Sequence, residues 1–304
     1  MTTSLGIGLV APHAGRAAGP DSLRDVAACA EELGLHSLWV GDHIVLPEHQ
    51  TTPYPYRGDD DDGAYQVASD NTFYEAFQSL AFLAACTETV QLGLSVGILP
   101  YRHPLLWAKS IGTLAALSGD RVVLGAGAGW LREEFDALNL EFEQRGESTD
   151  EVLRTLREVW ASDDRATTSN GTRVRVVPAF VESPPPVWIG GTGGRALRRV
   201  REYGDVWHPM LRDCPPAVVA DSVARLEDAR GESVPVALYA TVAIESTPAE
   251  VEPWKSNELR GPSTYCAEVL ASYADVGVTH AVISTGGGPR RRIDTVASIL
   301  AELR

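Results

Sequence analysis

The sequence predicts an α/β fold of the (β/α)8 type, the TIM barrel, and three observations support this class. Eight short apolar segments follow one another along 304 residues, and nearly all of them are separated by a segment with helical spacing of apolar residues. This alternation over this length is typical of parallel strands surrounded by helices. The composition, 44% hydrophobic, has no break that would mark a second domain. We therefore expect a single domain over residues 1–304, with a long loop after the second strand and an excursion before the fifth.

Each predicted strand is a short apolar run that ends at glycine, proline or polar residues. In chain order the predicted strands cover residues 5–10, 37–40, 90–96, 122–124, 187–189, 205–207, 235–241 and 278–284. The competing architecture is an open, doubly wound sheet, which would carry its glycine-rich phosphate loop after the first strand. Residues 10–13, Val-Ala-Pro-His, contain no glycine. The barrel is therefore favoured.

The predicted helices place apolar residues three and four positions apart, and glycine closes several of them. In order they cover residues 21–33, 73–84, 104–117, 131–138, 149–160, 195–203, 217–230, 265–274 and 290–303. Thr72 is the expected cap of the second helix. Two polar segments interrupt the alternation. Residues 47–71 form either an active-site lid, which we favour, or a disordered insertion. Residues 163–186 are irregular and indicate a short hairpin or excursion.

The composition excludes several classes of partner. A net charge of −15 and a pI of about 4.9 argue against sequence-independent binding to nucleic acid or to an anionic membrane. No apolar run reaches the roughly 18 residues of a membrane span, and no charged segment followed by an apolar one indicates a signal peptide. The four cysteines form no CxxC pair, so reduced thiols are expected. No set of side chains has metal-ligand spacing. We expect a cytoplasmic protein without a metal that acts on a small molecule.

A glycine-rich turn follows the fourth predicted strand. Residues 125–129, Gly-Ala-Gly-Ala-Gly, lead from this strand into a helix, and small residues there would let a planar or phosphorylated ligand lie against the main chain. The spacing is not that of a dinucleotide fingerprint, because Trp130 stands where the third glycine is needed. From the spacing alone, the turn is either one wall of a cofactor site or a tight corner.

The ends of the predicted strands bring further candidates together, because active sites of barrels form at the C-terminal ends of the strands. The residues expected there are Pro12, His13, Asp42, His43, Ser95, Val96, residues 127–130, residues 190–194, Trp207 and His208. Residues 190–194 contain four glycines ahead of a helix, which suits a phosphate group but also suits an ordinary turn. His43 is the main candidate for chemistry, with a purely structural role as the alternative. His13 and His208 are expected to be neutral structural or rim residues.

The chain resembles the bacterial-luciferase-like flavin or deazaflavin oxidoreductases, most of all the branch that uses coenzyme F420. The resemblance covers nearly the whole length and depends on six motifs taken together. They lie at residues 37–43 (SLWVGDH), 92–104 (LGLSV and LPYRHP), 124–135 (LGAGAGWLREEF), 144–151 (QRGESTDE), 186–191 (PVWIGG) and 203–208 (YGDVWH).

The resemblance implies roles for residues at the strand ends. Asp42 and His43 would lie beside the reactive edge of the tricyclic ring. Ser95 and Val96 would form a bulge with a non-prolyl cis peptide against one ring face. The ring and its ribityl chain would pass Gly127, Ala128 and Gly129, and the phosphate end would bind at Gly190, Gly191, Thr192 and Gly193. The sugar-phosphate dehydrogenases of the family carry a proton-donating glutamate at the position of Trp130, so a sugar phosphate is an unlikely substrate here.

The resulting expectation is hydride transfer between reduced F420 and a small or medium organic substrate, within a homodimer. His43 would donate a proton or a hydrogen bond, and Asp42 would orient it or bind the ring. Glu133 and Glu134 are expected to face solvent. The substrate pocket would be lined by His13, Tyr54, Tyr56, Trp130 and Trp207. Two alternatives stay open: a monooxygenase that uses reduced FMN and oxygen, and a flavin-binding barrel without catalytic activity.

Overall fold

The computed structural model describes residues 5–55, 72–162, 165–168, 170–178, 183–256 and 258–304. The strands of this part, in chain order, are β1 (Gly6–Val10), β2 (Ser37–Val40), β3 (Gln91–Leu94), β4 (Gly97–Ile98), β5 (Val122–Gly127), β6 (Arg165–Thr167), β7 (Arg173–Arg175), β8 (Val187–Gly190), β9 (Val206–His208), β10 (Val236–Ile244), β11 (Leu259–Gly261) and β12 (Val278–Ser284). The α-helices are α1 (Pro20–Leu33), α2 (Ala76–Ala85), α3 (Pro104–Ser118), α4 (Arg132–Ala137), α5 (Arg145–Ala161), α6 (Gly194–Tyr203), α7 (Pro216–Arg230), α8 (Ser263–Ala274) and α9 (Pro289–Leu303).

Eight parallel strands close into a barrel, which confirms the predicted fold class. Their order around the barrel is β1, β2, β3, β5, β8, β9, β10 and β12, and β12 pairs again with β1. The pairing of Trp207 with Val236 joins β9 to β10 and completes the ring. The C-terminal ends of all eight strands therefore point toward one face of the molecule, as parallel strands require.

The barrel interior is filled by its own small apolar cluster. Its buried members are Trp39, Val123, Trp188, Val206, Ala237 and Val282. The indole rings of Trp39 and Trp188 lie with their centroids 4.7 Å apart. A Cβ atom at Gly93 would lie 2.2 Å from the Trp39 ring, so the neighbouring strand needs glycine at this position. A larger cluster fills the layer between strands and helices.

Several element boundaries differ from the prediction. The second helix starts at Ala76, and Glu75, not Thr72, caps it by accepting a hydrogen bond from the amide of Gln78 at 2.9 Å. The third predicted strand is divided, because β3 ends at Leu94 and β4 begins at Gly97, with a cis peptide bond between Ser95 and Val96. This non-prolyl cis bond is the one that the family resemblance implied.

The excursion before β8 contains an antiparallel hairpin of β6 and β7, one of the two predicted possibilities. Strand β11 was not predicted; it pairs in parallel with the end of β10, outside the barrel. The predicted lid, residues 47–71, is described only as far as residue 55, and Tyr56 therefore lies outside the described residues. Among the helices with described coordinates, none is both long and apolar enough to cross a membrane.

Candidate active site

A cavity of about 460 Å³ opens at the C-terminal ends of the barrel strands. Most of the residues selected from the sequence line it: His13, Asp42, His43, Tyr54, Ser95, Val96, Gly127, Ala128, Gly129, Trp130, Gly190 and Gly191. Thr192, Gly193 and Trp207 are not part of its lining. A cavity of this size is in the range of small-molecule and cofactor sites.

The main polar group at one side of the cavity is a pair formed by His43 and Glu134. The carboxylate of Glu134 lies 2.7 Å from Nδ1 of His43, and the same oxygen accepts a hydrogen bond from the Tyr101 hydroxyl at 2.8 Å. Its other oxygen accepts from the amides of Ile44 and Val45 at 2.6 and 3.2 Å. Glu134 is fully buried, so the expectation that it faces solvent was wrong. Four donors match an ionised carboxylate, which only accepts hydrogen bonds.

Glu133 does not face solvent freely either, because it holds the first part of the loop after β2. Its Oε1 accepts hydrogen bonds from the amide and hydroxyl of Thr51 at 2.5 and 2.6 Å and from the amide of Thr52 at 2.8 Å. Burial acts to raise the pKa of Glu133, but these hydrogen bonds outweigh it and lower the pKa to about 2. The two adjacent glutamates of α4 thus fix residues 43–52 against the mouth of the cavity.

Asp42 lines the cavity and forms an ion pair with Arg102. Its carboxylate accepts two hydrogen bonds from the Arg102 guanidinium, at 2.7 and 2.9 Å, and one from the amide of Ile98 at 2.9 Å. Arg102 also binds Glu75 at 2.7 Å. The expectation that Asp42 orients His43 is not met, because Glu134 holds that position. Asp42 instead fixes the segment after β4 to the end of β2.

The cavity lining also includes His208, which has the neutral structural role that the sequence predicts for it. Its Nδ1 lies 2.6 Å from the carbonyl oxygen of Ala237, and its Nε2 lies 2.9 Å from the hydroxyl of Ser95. Burial lowers the pKa of His208 to about 4. A neutral ring with the proton on Nδ1 satisfies both contacts. His208 thereby ties the Ser95–Val96 bulge to β10 and stacks on Trp39.

The glycines near this bulge are needed for a reason that differs from the predicted one. A Cβ atom at Gly125 would lie 1.9 Å from the carbonyl oxygen of Leu94, and one at Gly127 would lie 2.5 Å from Cγ2 of Val96. At Gly190 it would lie 3.0 Å from Cγ1 of Val96. These glycines make room for the protein's own bulge, which then forms part of the cavity wall.

The loop between β8 and α6 contains the glycines for which the sequence predicts a phosphate site. Gly191 has a φ of 103°, a conformation that favours glycine. The N-terminus of α6 has no side-chain cap, so no side chain occupies the amides of Gly194 and Arg195, whereas the amide of Ala196 donates to the carbonyl oxygen of Gly193 at 2.8 Å. Trp207 was predicted to line the pocket, but it is fully buried and donates to the carbonyl oxygen of Gly191 at 2.8 Å. It fixes this loop from behind.

His13 lines the cavity but has both ring nitrogens occupied. Nδ1 lies 2.9 Å from the carbonyl oxygen of Ala11, and Nε2 accepts a hydrogen bond from the amide of Gly41 at 2.9 Å. Burial lowers the pKa of His13 to about 4, so the ring is neutral near pH 7. His13 therefore shapes the wall and joins the ends of β1 and β2.

Two aromatic side chains, Tyr54 and Trp130, form part of the cavity wall. The ring of Tyr54 meets the ring of Trp130 edge-on, with centroids 5.1 Å apart, and both side chains line the cavity. No carboxyl group stands at position 130. Within the described ranges, no cluster of three or more His, Cys, Asp or Glu residues is arranged to hold a metal ion.

Comparisons with known proteins show the family of the chain and agree with the barrel fold. Residues 5–262 match the sequence model of the family described as luciferase-like monooxygenase. An uncharacterized protein of Mycobacterium tuberculosis is 32% identical over 211 residues, which is 68% of this chain and 71% of the relative. The F420-dependent glucose-6-phosphate dehydrogenase of Amycolatopsis mediterranei is 29% identical over 195 residues, 62% of this chain and 52% of that protein.

Among solved structures, one similar fold is an F420-dependent secondary alcohol dehydrogenase in complex with an F420-acetone adduct. The TM-score is 0.73 at 16% identity, and the match covers 99% of both chains. At this identity the likeness concerns the fold alone.

Proposed function

The chain belongs to the luciferase-like monooxygenase family and is an enzyme of that class, and from this premise we propose that it is an oxidoreductase that transfers hydride between reduced coenzyme F420 and a small or medium organic substrate. The observation that carries the proposal is His43, which lines the cavity while Glu134 holds its Nδ1. The F420-dependent relative and the F420-dependent structural neighbour support this branch of the family.

The residues around the cavity fit such a cofactor. The Val96 side chain forms a wall together with Gly127 and Gly190, which have no side chains that would hold a ring away. The amides of Gly194 and Arg195 at the start of α6, with the adjoining turn at Gly191, suit the phosphate end of the cofactor. When bound, the reduced deazaflavin supplies the hydride, that is, a proton and two electrons.

His43 would supply the remaining proton. Reduction of a carbonyl group requires one hydride on carbon and one proton on oxygen, and the imidazolium of His43 can donate the latter through Nε2. Glu134 fixes the ring orientation through Nδ1 and stabilises the charged imidazolium at a distance of 2.7 Å. In the opposite direction the neutral ring accepts the proton of the alcohol. Tyr54 and Trp130 would exclude water from the reacting groups.

Trp130 limits the range of possible substrates. An indole cannot donate a proton in place of a carboxylic acid at that position, so proton transfer falls to His43. The apolar wall of Trp130 and Tyr54 favours an organic substrate with an apolar part over a sugar phosphate.

A cofactor titration and a turnover assay test the proposal. The purified protein is titrated with F420 and with FMN, and oxidation of reduced F420 is then followed with a panel of ketones and aldehydes. We expect tight F420 binding and turnover that is lost in His43→Asn. Tight FMN binding without any F420 binding would contradict the proposal.

The second candidate is a monooxygenase that uses reduced FMN and oxygen. The family's description as luciferase-like monooxygenase favours it. It predicts oxygen consumption that depends on both reduced FMN and substrate, which an oxygen electrode measures.

We further propose that the enzyme is a cytoplasmic homodimer. All four cysteines are free thiols, as a reducing compartment favours. Light scattering on the purified protein tests the dimer.

A further inference from the structure

Arg292 differs from the other arginines at the cavity because no carboxylate within the described ranges pairs with it. Its Nη1 donates to the carbonyl oxygen of Val10 at 3.1 Å and its Nε to that of Gly287 at 3.2 Å. Its Nη2 has no acceptor among the described residues. By contrast, Arg199, which also lines the cavity, binds Asp150 at 2.6 Å. Among the described residues, Arg292 therefore brings a positive charge to the cavity that no carboxylate compensates.

The groups around Arg292 are neutral and can donate hydrogen bonds. Tyr239 and Ser284, from β10 and β12, line the cavity beside it. Burial raises the pKa of Tyr239, although the neighbouring hydroxyls of Ser284 and Thr241 and the charge of Arg292 act in the opposite direction. Its phenol therefore keeps its proton. Asp42, the one carboxylate among the described lining residues, is already bound to Arg102.

The position of Arg292 separates it from the proposed phosphate loop. Arg292 lies on α9 beside the seam of β12 and β1, whereas the phosphate loop follows β8, three strands away around the barrel. Arg292, His13 and His43 all line the same cavity. A ligand anchored at Arg292 therefore shares this cavity with His43.

A partly buried cation without a partner is costly, and an anionic ligand removes that cost. The described part of the cavity lining offers one positive charge without a carboxylate partner, which matches a monoanion better than a dianionic phosphate. We propose that the substrate carries a carboxylate, which binds Nη2 of Arg292 and the Tyr239 hydroxyl while its reacting group lies at His43. This inference rests on the proposed function, because it assigns the substrate to this cavity.

Binding of benzoate and of its neutral isostere benzamide tests the inference by titration calorimetry. The parent protein, Arg292→Gln and Arg292→Lys are compared, with and without F420. The matched control is Arg290→Gln, an exposed arginine two residues away that changes the net charge equally. Thermal melting verifies that each variant is folded, and Tyr239→Phe removes one proposed donor without a charge change.

We expect the parent and the Arg290→Gln control to bind benzoate at least about tenfold more tightly than benzamide, about 1.4 kcal/mol. Arg292→Gln should lose this preference, Arg292→Lys should keep part of it, and Tyr239→Phe should weaken benzoate binding alone. A preference that is absent in the parent, or that persists in both Arg292→Gln and Tyr239→Phe, overturns the inference. So does a loss of F420 affinity in Arg292→Gln with benzoate binding unchanged. If F420 does not bind to the parent at all, the proposed function fails, while the titrations without cofactor still decide the carboxylate site.

Discussion

Replacement of Glu134 by glutamine removes one charge from the His43 pair while keeping its shape. The amide can still accept from the Ile44 and Val45 amides through its oxygen, at the contacts of 2.6 and 3.2 Å. In the parent, Nδ1 of His43 and the Tyr101 hydroxyl donate to Oε2 of Glu134. In the variant, the NH2 group of the glutamine faces these two groups instead. The imidazole must turn its Nδ1 into an acceptor, which places the proton on Nε2.

The magnitude follows from the lost charge. Two unit charges about 4 Å apart interact with roughly 4 kcal/mol at the effective dielectric constant near a protein surface. Part of this attraction is offset in the parent by the desolvation cost of the fully buried Glu134 carboxylate, which the neutral glutamine does not have. We therefore expect an imidazolium destabilised by roughly 2–3 kcal/mol and a kcat lower by about 10²-fold, within the range of general acid catalysis.

Steady-state kinetics and a cofactor titration measure this effect. In Glu134→Gln kcat should fall by about 10²-fold, while the affinity for the cofactor changes by less than about threefold. The control is Glu133→Gln, which loses contacts to Thr51 and Thr52 but none to His43. It should alter KM and leave kcat within about threefold of the parent. A kcat of Glu134→Gln within about threefold of the parent would show that Glu134 is not needed to position His43.

Three further outcomes are expected. Gly93→Ala should lower the free energy of unfolding by about 3 kcal/mol in urea titrations, because its Cβ would lie 2.2 Å from the Trp39 ring. The control Gly286→Ala has open space around the new Cβ and should have little effect, so equal stability of the two variants contradicts the packing described. His208 is neutral in the folded protein with a pKa of about 4, so its contribution to the free energy of unfolding is complete above pH 6.5 and is lost as the pH falls toward 4, about 3 kcal/mol in all. His208→Gln should reduce the pH dependence of the free energy of unfolding in this range, and an unchanged dependence argues against a buried neutral ring. Gly191→Val should weaken cofactor binding by at least about tenfold in a fluorescence titration, on the order of 1.4 kcal/mol, since valine disfavours the φ of 103°, and unchanged affinity would mean that the loop is only a turn.

The barrel could be predicted because parallel strands buried on both faces are continuous apolar runs, and each of the eight runs stood out. The break at Ser95 and Val96 could not be read from that pattern, since both lie within an apolar segment. Strand β11 is only three residues long, with the exposed Arg260 in its middle. Such a segment has too few apolar residues to differ from a loop.

Some site residues were within reach of the sequence but were assigned wrongly. Leu131, Glu134, Phe135 and Leu138 have the spacing i, i+3, i+4 and i+7, which places Glu134 on the apolar face of its helix. Adjacent residues of a strand face opposite sides, so Trp207 and His208 could not both face the barrel interior. The partner of Asp42 was beyond reach, because Arg102 lies 60 residues away and only the tertiary fold brings the two together.

The Ser95–Val96 bulge packs against glycines that are distant from it in the sequence. Gly125, Gly127 and Gly190 are small because the segment from Leu94 to Val96 occupies the space where their side chains would be. A mutation at one of these glycines is tolerated only if the bulge changes with it. In aligned relatives, positions 96, 125, 127 and 190 should therefore vary together. A redesign of this barrel for another ligand must exchange the bulge and these glycines as one unit.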